Sequence, residues 1–246
     1  MLQSRIIPVL LIRDGGLVKT RRFAEDKYVG DPINAVKIFN EKEVDELTIY
    51  DIDATVQGRE PDYEHLRKIA VESRMPLCYG GGINHAEQAA RLISLGFEKI
   101  SVSASAVARP QLIRELADRV GTQSVAVTLD VRKEGLLGQY NVYTHNGKTR
   151  HKVEFAEFLK QIADLGAGEI IINNIDRDGM MAGYDLKLAK LVRDAVTVPL
   201  SFVGGAGKSG DMADLIDTVG TVGAAAGSLF VFKGTYRAVL ISYMRP

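Results

Sequence analysis

The chain of 246 residues contains one cysteine and no tryptophan, and neither sign of charge predominates. A single thiol, Cys78, leaves no intrachain disulfide framework, which excludes a small disulfide-stabilised secreted scaffold. The 31 Lys and Arg residues are balanced by 31 Asp and Glu residues. This balance produces no global field toward nucleic acid or an anionic membrane surface, and we expect neither as a partner.

Long apolar runs are also missing. A membrane-spanning helix needs about 20 consecutive apolar residues, whereas the apolar run near the N-terminus is short and is soon followed by Arg13 and Asp14. That run has no small-residue cleavage site, so we expect a cytoplasmic protein. The histidines show no metal-ligand spacing, and we predict neither a metal site nor a cofactor. They are His65, His85, His145 and His151.

The chain does contain a long internal repeat. The segment 76–82 (PLCYGGG) returns at 199–205 (PLSFVGG), and 46–53 (ELTIYDID) returns at 169–176 (EIIINNID), both 123 positions later. Such a long unit indicates two fused half-domains rather than a solenoid. Each half carries a glycine pair directly after a buried strand, where backbone N–H groups can approach a phosphate. The repeat therefore predicts a ligand with a phosphate at each end.

Apolar runs of strand length alternate with amphipathic stretches along the whole chain. Most runs are continuous rather than alternating, which is typical of strands buried on both faces. The predicted strands are Ile6–Ile12, Glu46–Asp51, Leu77–Tyr79, Lys99–Ser103, Ser124–Asp130, Glu169–Asn173, Leu200–Val203 and Gly223–Gly227. Eight strands alternating with helices predict a (β/α)8 TIM barrel over residues 1–246, built from two repeated half-barrels as a single domain.

An open, doubly wound sheet is the alternative architecture, although the symmetric repeat makes its topological switch point less natural. The polar stretch 133–151 is predicted to form a hairpin after the fifth strand. In a barrel the reacting groups lie at the C-terminal ends of the strands. The candidates at those ends are Leu11, Asp51, Asp53, Gly81, Gly82, Ser101, Ser103, Asp130, Asn174, Asp176, Asp178, Gly204, Gly205 and Ser228.

Several motifs occur together, in order and at a characteristic spacing. They are 5–8 (RIIP), 14–15 (DG), 18–19 (VK), 45–47 (DEL) with 51–52 (DI), 80–83 (GGGI), 175–179 (IDRDG) with 183–185 (GYD), and 204–208 (GGAGK). In this set the chain resembles the HisF family, the cyclase subunits of imidazole glycerol phosphate synthase, from Arg5 to about Phe232.

The resemblance implies a partner and a reaction. In that family a glutaminase, HisH, hydrolyses glutamine, and ammonia passes through the barrel to a bis-phosphorylated ligand at the C-terminal face. It implies catalysis by Asp130 and substrate contacts from candidates Lys19, Asp51, Asp176 and Asp178. The phosphate-binding residues would be Gly81, Gly82, Ser103, Gly204, Gly205, Gly227 and Ser228. An ammonia gate would consist of Arg5, Glu46, Lys99 and Glu169, with Glu98 in the contact with the glutaminase.

The chain departs from the family pattern at one end of the barrel. The family uses two strand-end aspartates for acid–base work, and the position of the first is Leu11, which can neither give nor take a proton. Further changes lie at Ser103-Ala104, Asn173-Asn174 and Val203, whereas all four gate positions have the family's residue.

These departures leave several functions open. The preferred one resembles the diverged HisF-like proteins of surface-polysaccharide (O-antigen) clusters, in which ammonia from a HisH-like glutaminase serves a separate sugar amidotransferase. The alternatives are an imidazole glycerol phosphate synthase subunit of histidine biosynthesis and a non-catalytic subunit that only activates a glutaminase. The related phosphoribosyl isomerase, HisA, shares the half-barrel repeat, but it too uses a first-strand aspartate, and the gate charges favour HisF.

Overall fold

The computed structural model describes residues 3–135 and 138–246. Its strands are β1 (Arg5–Arg13), β2 (Gly16–Arg21), β3 (Glu25–Gly30), β4 (Leu47–Asp51), β5 (Leu77–Gly80), β6 (Lys99–Val102), β7 (Val125–Glu134), β8 (Gln139–Thr144), β9 (Thr149–Arg150), β10 (Glu169–Asn174), β11 (Leu200–Val203), β12 (Gly223–Ala226), β13 (Phe232–Lys233) and β14 (Ala238–Val239). Its helices are α1 (Pro32–Glu41), α2 (Tyr63–Glu72), α3 (Ala86–Ser94), α4 (Ala104–Ala108), α5 (Leu112–Val120), α6 (Phe155–Asp164), α7 (Leu186–Ala195), α8 (Ser209–Val219) and α9 (Ser228–Val231). Short 3-10 helices cover Thr122–Ser124 and Ile175–Arg177.

Eight of the strands form a closed parallel barrel. Around the barrel the order is β1, β4, β5, β6, β7, β10, β11 and β12. The barrel closes because β12 pairs in parallel with β1, with Arg5 opposite Gly223 and Pro8 opposite Ala226. The predicted (β/α)8 barrel is thereby confirmed, and every predicted strand corresponds to one of these eight. The open-sheet alternative is wrong, because it would leave two unpaired edges.

The local sequence explains how the elements begin and end. Asp31, Asp62 and Asp185 each cap a helix by accepting a hydrogen bond from the backbone N–H three residues later. Behind α3 and α6, Gly96 and Gly166 adopt φ of 107° and 103°, a region that favours glycine at a helix C-terminus. No helix in the described part of the chain is long and apolar enough to cross a membrane.

The two halves of the barrel repeat each other in structure. The first strand of each half continues into an antiparallel hairpin: β1 with β2 and β3, and β7 with β8 and β9. The second hairpin covers the predicted polar stretch 133–151. The first was not predicted, because Glu25–Gly30 is largely exposed and polar and has no alternating apolar pattern.

The segment after the last barrel strand departs from the regular pattern. Residues 228–246 contain the four-residue helix α9, the small hairpin β13–β14 and an extended strap, and no long outer helix. Tyr243 anchors the strap at the bottom of the barrel, where its hydroxyl donates to the Ile6 carbonyl at 3.1 Å. Its ring packs against Phe230 with a centroid separation of 5.5 Å. The strap thus covers part of the barrel flank that an eighth long helix would cover.

Candidate functional site

A deep cavity opens at the C-terminal ends of the barrel strands. The cavity and its mouth together hold about 1330 Å³ of empty space. All the predicted phosphate-binding residues line it: Gly81, Gly82, Ser103, Gly204, Gly205, Gly227 and Ser228. Parallel strands bring these distant segments together because their carboxyl ends lie on one rim.

The two glycine pairs have backbone conformations that other residues rarely adopt. The φ angles are 130° and 72° at Gly81 and Gly82, and 93° and 120° at Gly204 and Gly205. Space is restricted as well, since a Cβ at Gly204 would lie 2.7 Å from the Asn174 carbonyl oxygen. The glycines therefore let the backbone turn tightly at the cavity rim, where its N–H groups can reach an anion.

A buried lysine lies beside the loop that follows β12 and contains Gly227. The Lys19 ammonium on β2 donates a hydrogen bond to the Val9 carbonyl, and a Cβ at Gly227 would lie 2.8 Å from its Nζ. Burial lowers the pKa of Lys19 to about 8, although the Asp178 charge opposes the shift. An anion at this loop would favour the charged ammonium. Arg237 lies close by, 3.2 Å from the Ser228 hydroxyl to which it donates.

Asp130 ends the inward-facing part of β7 at the cavity wall. Its carboxylate accepts a hydrogen bond from the Asn173 side-chain amide at 3.0 Å. Burial raises the pKa of Asp130 to about 7, against the opposing effect of Asn173. A group with this pKa can both take and give a proton near neutral pH. On β1, Leu11 also lines the cavity, so an apolar side chain stands where the resemblance predicts the other carboxylate.

The other predicted carboxylates have different surroundings. Asp51 accepts hydrogen bonds from the N–H groups of Asp53 and Ala54 at 3.1 and 2.9 Å, which orders the loop after β4. Asp178 lines the cavity and accepts from the Thr20 hydroxyl at 2.6 Å, and burial raises its pKa.

Asp176 does not line the cavity. Its carboxylate accepts from the Lys133 N–H at 3.0 Å and ties the β7–β8 hairpin to the barrel. Within residues 3–135 and 138–246, no group of three or more His, Cys, Asp and Glu side chains is placed to hold a metal ion.

Sequence reasoning did not single out several residues that line the cavity. His145 and Asn146, at the turn of the β8–β9 hairpin, lie over it with φ angles of 54° and 56°. The Asn-Gly pair at 146–147 marks the turn, but nothing in the spacing shows that it folds over the cavity. Arg13 also lines the wall and pairs with Asp53 at 3.0 Å.

Four charged side chains form a closed ring at the opposite end of the barrel. Lys99 contacts Glu46 and Glu169, both at 2.8 Å, and Arg5 contacts Glu169 at 2.7 Å as well as Glu46. Despite the opposing effect of burial, Lys99 and Arg5 lower the pKa of Glu169 to about 2. The buried Ser201 hydroxyl also donates to Glu169. These are the four predicted gate residues, and the exposed Glu98 precedes Lys99 beside them.

Comparison with known proteins gives one family throughout. The family model described as "Histidine biosynthesis protein" matches residues 5–237. A Vibrio vulnificus protein provisionally named imidazole glycerol phosphate synthase subunit hisF3 is 56% identical over 246 residues, covering 100% of this chain and 95% of the relative. A Leptospira interrogans protein with the provisional name HisF is 51% identical over 243 residues, which are 99% and 96% of the two chains. The HisF subunit of Halalkalibacterium halodurans is 37% identical over 245 residues, 100% and 97% of the chains.

Proposed function

This chain belongs to the histidine biosynthesis protein family as a HisF-type imidazole glycerol phosphate synthase subunit, and we propose that it has diverged toward delivering ammonia for sugar amidation. In this proposal a HisH-like glutaminase docks at the charged ring and forms a heterodimer with the chain. Ammonia enters through the ring, crosses the barrel and leaves at the cavity. A separate sugar amidotransferase of surface-polysaccharide biosynthesis then uses it.

One observation carries the proposal: the ring is complete, while Leu11 lines the cavity where the resemblance predicts a second proton-transfer group beside Asp130. Arg5, Glu46, Lys99 and Glu169 satisfy one another's charge. In the proposal this ring excludes bulk water and opens narrowly enough to admit only ammonia. At the other end, Asp130 and Leu11 both line the cavity, and Leu11 has no group that transfers a proton. Cleavage and cyclisation of the family's ligand need one group to donate a proton and another to accept one. The ammonia route is therefore better supported than the cyclase chemistry.

The cavity favours a phosphorylated molecule as its ligand. The glycine loops at both halves and the Lys19 ammonium offer hydrogen-bond donors and positive charge at separate points of one rim. The retained loops also support a second candidate function, synthesis of imidazole glycerol phosphate for histidine biosynthesis. A third candidate is a non-catalytic subunit whose ligand only activates the glutaminase.

Turnover of the purified chain separates the first two candidates. The protein is given the bis-phosphorylated family precursor and a high ammonium concentration at alkaline pH, and release of imidazole glycerol phosphate is followed. Since a missing proton-transfer group typically costs about 10²–10⁴ in rate, we expect turnover at least about 100-fold below that of an ordinary HisF. Leu11→Asp should recover a small part. Turnover equal to that of an ordinary HisF would restore the histidine pathway as the function.

Growth of a HisF-deficient bacterium on minimal medium provides the matching test in cells. The gene for this chain is supplied with its own HisH-like partner, and an ordinary HisF gene serves as the positive control. We expect no growth without histidine. Sugar amidation is then tested with glutamine labelled with ¹⁵N at its amide, looking for label in an amidated amino sugar when the amidotransferase is added. Label that remains only in free ammonium would favour the non-catalytic activator.

A further inference from the structure

A tyrosine crosses the bore between the charged ring and the cavity. Tyr50 on β4 places its hydroxyl 2.9 Å from the Thr128 hydroxyl on β7, three strands further round the eight-strand ring. Thr128 in turn lies 2.6 Å from the Ser101 hydroxyl on β6. The three hydroxyls form one chain, and Tyr50 bridges the interior from wall to wall.

The neighbouring strand is shaped to hold the Tyr50 ring. Gly80 on β5 does not have a positive φ, so no backbone conformation requires glycine there. Space does require it, because a Cβ at Gly80 would lie 2.7 and 2.8 Å from Cδ1 and Cε1 of the ring. The aromatic ring of Tyr50 therefore lies against the β5 backbone and fills the volume that a side chain at position 80 would occupy.

Tyr50 has the ring of charges on one side and the cavity on the other. Cys78 and Gly80 both face inward on β5, and Cys78 lies two residues nearer the charged ring. The register partner of Cys78 on β6 is Lys99, a member of that charged ring. On the other side, Asp130 lies two residues beyond Thr128 on β7 and faces the cavity. The barrel interior also contains an apolar cluster of Ile7, Val9, Ala126, Ile171, Val203 and Ala225. The Tyr50 side chain thus lies between the charged ring and the cavity.

The chain of hydroxyls is compact, because Tyr50 contacts the Ser101 hydroxyl as well as that of Thr128. Each hydroxyl has one hydrogen to donate and can accept two hydrogen bonds. Burial raises the pKa of Tyr50, so its hydroxyl stays neutral at physiological pH. The three oxygens together have more acceptor sites than the chain has hydrogens, so a small guest with N–H groups can donate a hydrogen bond to the chain.

We propose that Tyr50 is the constriction of the bore, and that the chain of Tyr50, Thr128 and Ser101 is the station through which a small neutral hydrogen-bonding molecule passes between the ring and the cavity. The constriction follows from the side-chain placement alone. Ammonia as the passing molecule rests on the proposed function.

Cys78 reports on the constriction, because it is fully buried just below Tyr50. The free protein is treated with methyl methanethiosulfonate at alkaline pH, and modification is timed by mass spectrometry. Tyr50→Ala should react at least tenfold faster than wild type, since the reagent reaches Cys78 from the cavity. Tyr50→Phe retains the ring and should react like wild type. Tyr50→Leu, which leaves a smaller void, should give an intermediate rate and serves as the variant if the alanine protein unfolds. Equal rates in all the folded variants would overturn the constriction.

The station is tested in the complex with the HisH-like glutaminase. With the sugar amidotransferase present, formation of the amidated sugar driven by glutamine is compared with that driven by added ammonium in wild type and Tyr50→Phe. We expect the ratio of the glutamine-driven rate to the ammonium-driven rate to fall about tenfold in Tyr50→Phe. This is the effect of losing one hydrogen bond worth about 1.4 kcal/mol. An unchanged ratio would overturn the station. If the wild-type complex makes no product, the proposed function fails, while Cys78 modification still decides the constriction.

Discussion

The two ends of this barrel differ in how their polar side chains depend on one another. At the N-terminal end, four charged side chains pair with one another, Glu169 also accepts from Ser201, and the two carboxylates are buried. At the C-terminal end, Asp130, Lys19 and the glycine loops line an open cavity from separate strands. Removing one charge from the ring leaves a buried opposite charge without its partner, whereas the cavity residues are hydrogen-bonded in separate pairs, such as Asp130 with Asn173 and Lys19 with the Val9 carbonyl.

The resemblance to HisF leads us to expect that the four ring positions have the family's residues while Leu11 replaces a carboxylate, and the difference between the two ends offers a reason. Ring residues can be replaced only together, whereas cavity residues can be replaced one at a time. A barrel can therefore retain a charged ring at its N-terminal end while the other end varies, which agrees with the general rule that barrel chemistry varies at the C-terminal face.

The largest effect should come from breaking the ring. Lys99→Met removes the cation that bridges Glu46 and Glu169 and leaves two buried carboxylates with only Arg5 between them. Breaking a buried pair in this way costs about 3–5 kcal/mol. Urea unfolding at neutral pH measures the loss.

Lys160→Met is the matched control, since it removes an exposed lysine 2.9 Å from Glu157. An exposed pair contributes at most about 1 kcal/mol. Equal losses in the two variants would mean that the ring is no more interdependent than a surface pair, and the comparison between the two ends would fail.

The pH dependence of stability should have opposite signs at the two ends. Glu169 has its pKa lowered from 4.5 to about 2, so its contribution is complete above 4.5 and is lost as pH falls toward 2. Asp130 has its pKa raised from 3.8 to about 7, so the folded state binds a proton more tightly, and stability falls as pH rises from 3.8 to 7.

Asp130→Asn isolates the cavity contribution. The variant removes the penalty of a buried charge, so it should be more stable than wild type by a few kcal/mol at about pH 8. Near pH 4 the two proteins should be nearly equal, because Asp130 is then protonated in the folded state. Urea unfolding across this range checks the sign, and a difference independent of pH would show that Asp130 is not the group responsible.

A smaller effect is expected at Gly80, midway between the two ends. Gly80→Ala forces the Tyr50 ring to move and should destabilise the fold by about 1–3 kcal/mol. The same change in a Tyr50→Leu background should cost less. Gly210→Ala is the control, because Gly210 lies exposed in α8 with no atom nearer than 3.8 Å to a new Cβ. Alanine there should stabilise the helix by about 0.5–1 kcal/mol. Thermal unfolding distinguishes the opposite signs.

Much of the barrel could be predicted from the sequence because its strands are buried on both faces. Continuous apolar runs such as Leu200–Val203 indicate buried strands, and the repeat supports the same assignment in both halves of the chain. The hairpin strand Glu25–Gly30 was missed because exposed strands carry no apolar pattern. The β13–β14 hairpin and the strap that follows it were also not predicted. Which segment covers the side of a barrel depends on packing rather than on periodicity.

The residues of the candidate site also differ in how well the sequence predicts their positions. Residues at strand ends, such as Gly81 and Asp130, could be placed in the cavity because the topology fixes where strands end. Tyr50 could not be placed, since spacing within one strand does not show which side chain it meets across the bore. His145 was missed because it reaches the cavity through a loop, whose path is not set by its spacing. Asp176 shows the converse, a strand-end acid that stabilises a hairpin rather than facing the cavity.

The smallest effect on the stability of the fold is expected from Glu98→Lys, which tests whether the surface beside the charged ring binds the glutaminase. Glu98 is exposed beside the buried ring, so its reversal should change the free energy of unfolding by no more than about 0.5 kcal/mol. Affinity for the HisH-like glutaminase should nevertheless fall about tenfold, because charges at an interface select the partner and its orientation. Glu157→Lys, an exposed reversal on α6, should leave the affinity unchanged. Titration calorimetry of both variants measures the contrast. Unchanged affinity for Glu98→Lys would place the glutaminase contact elsewhere and leave the ring as a structural closure of the barrel.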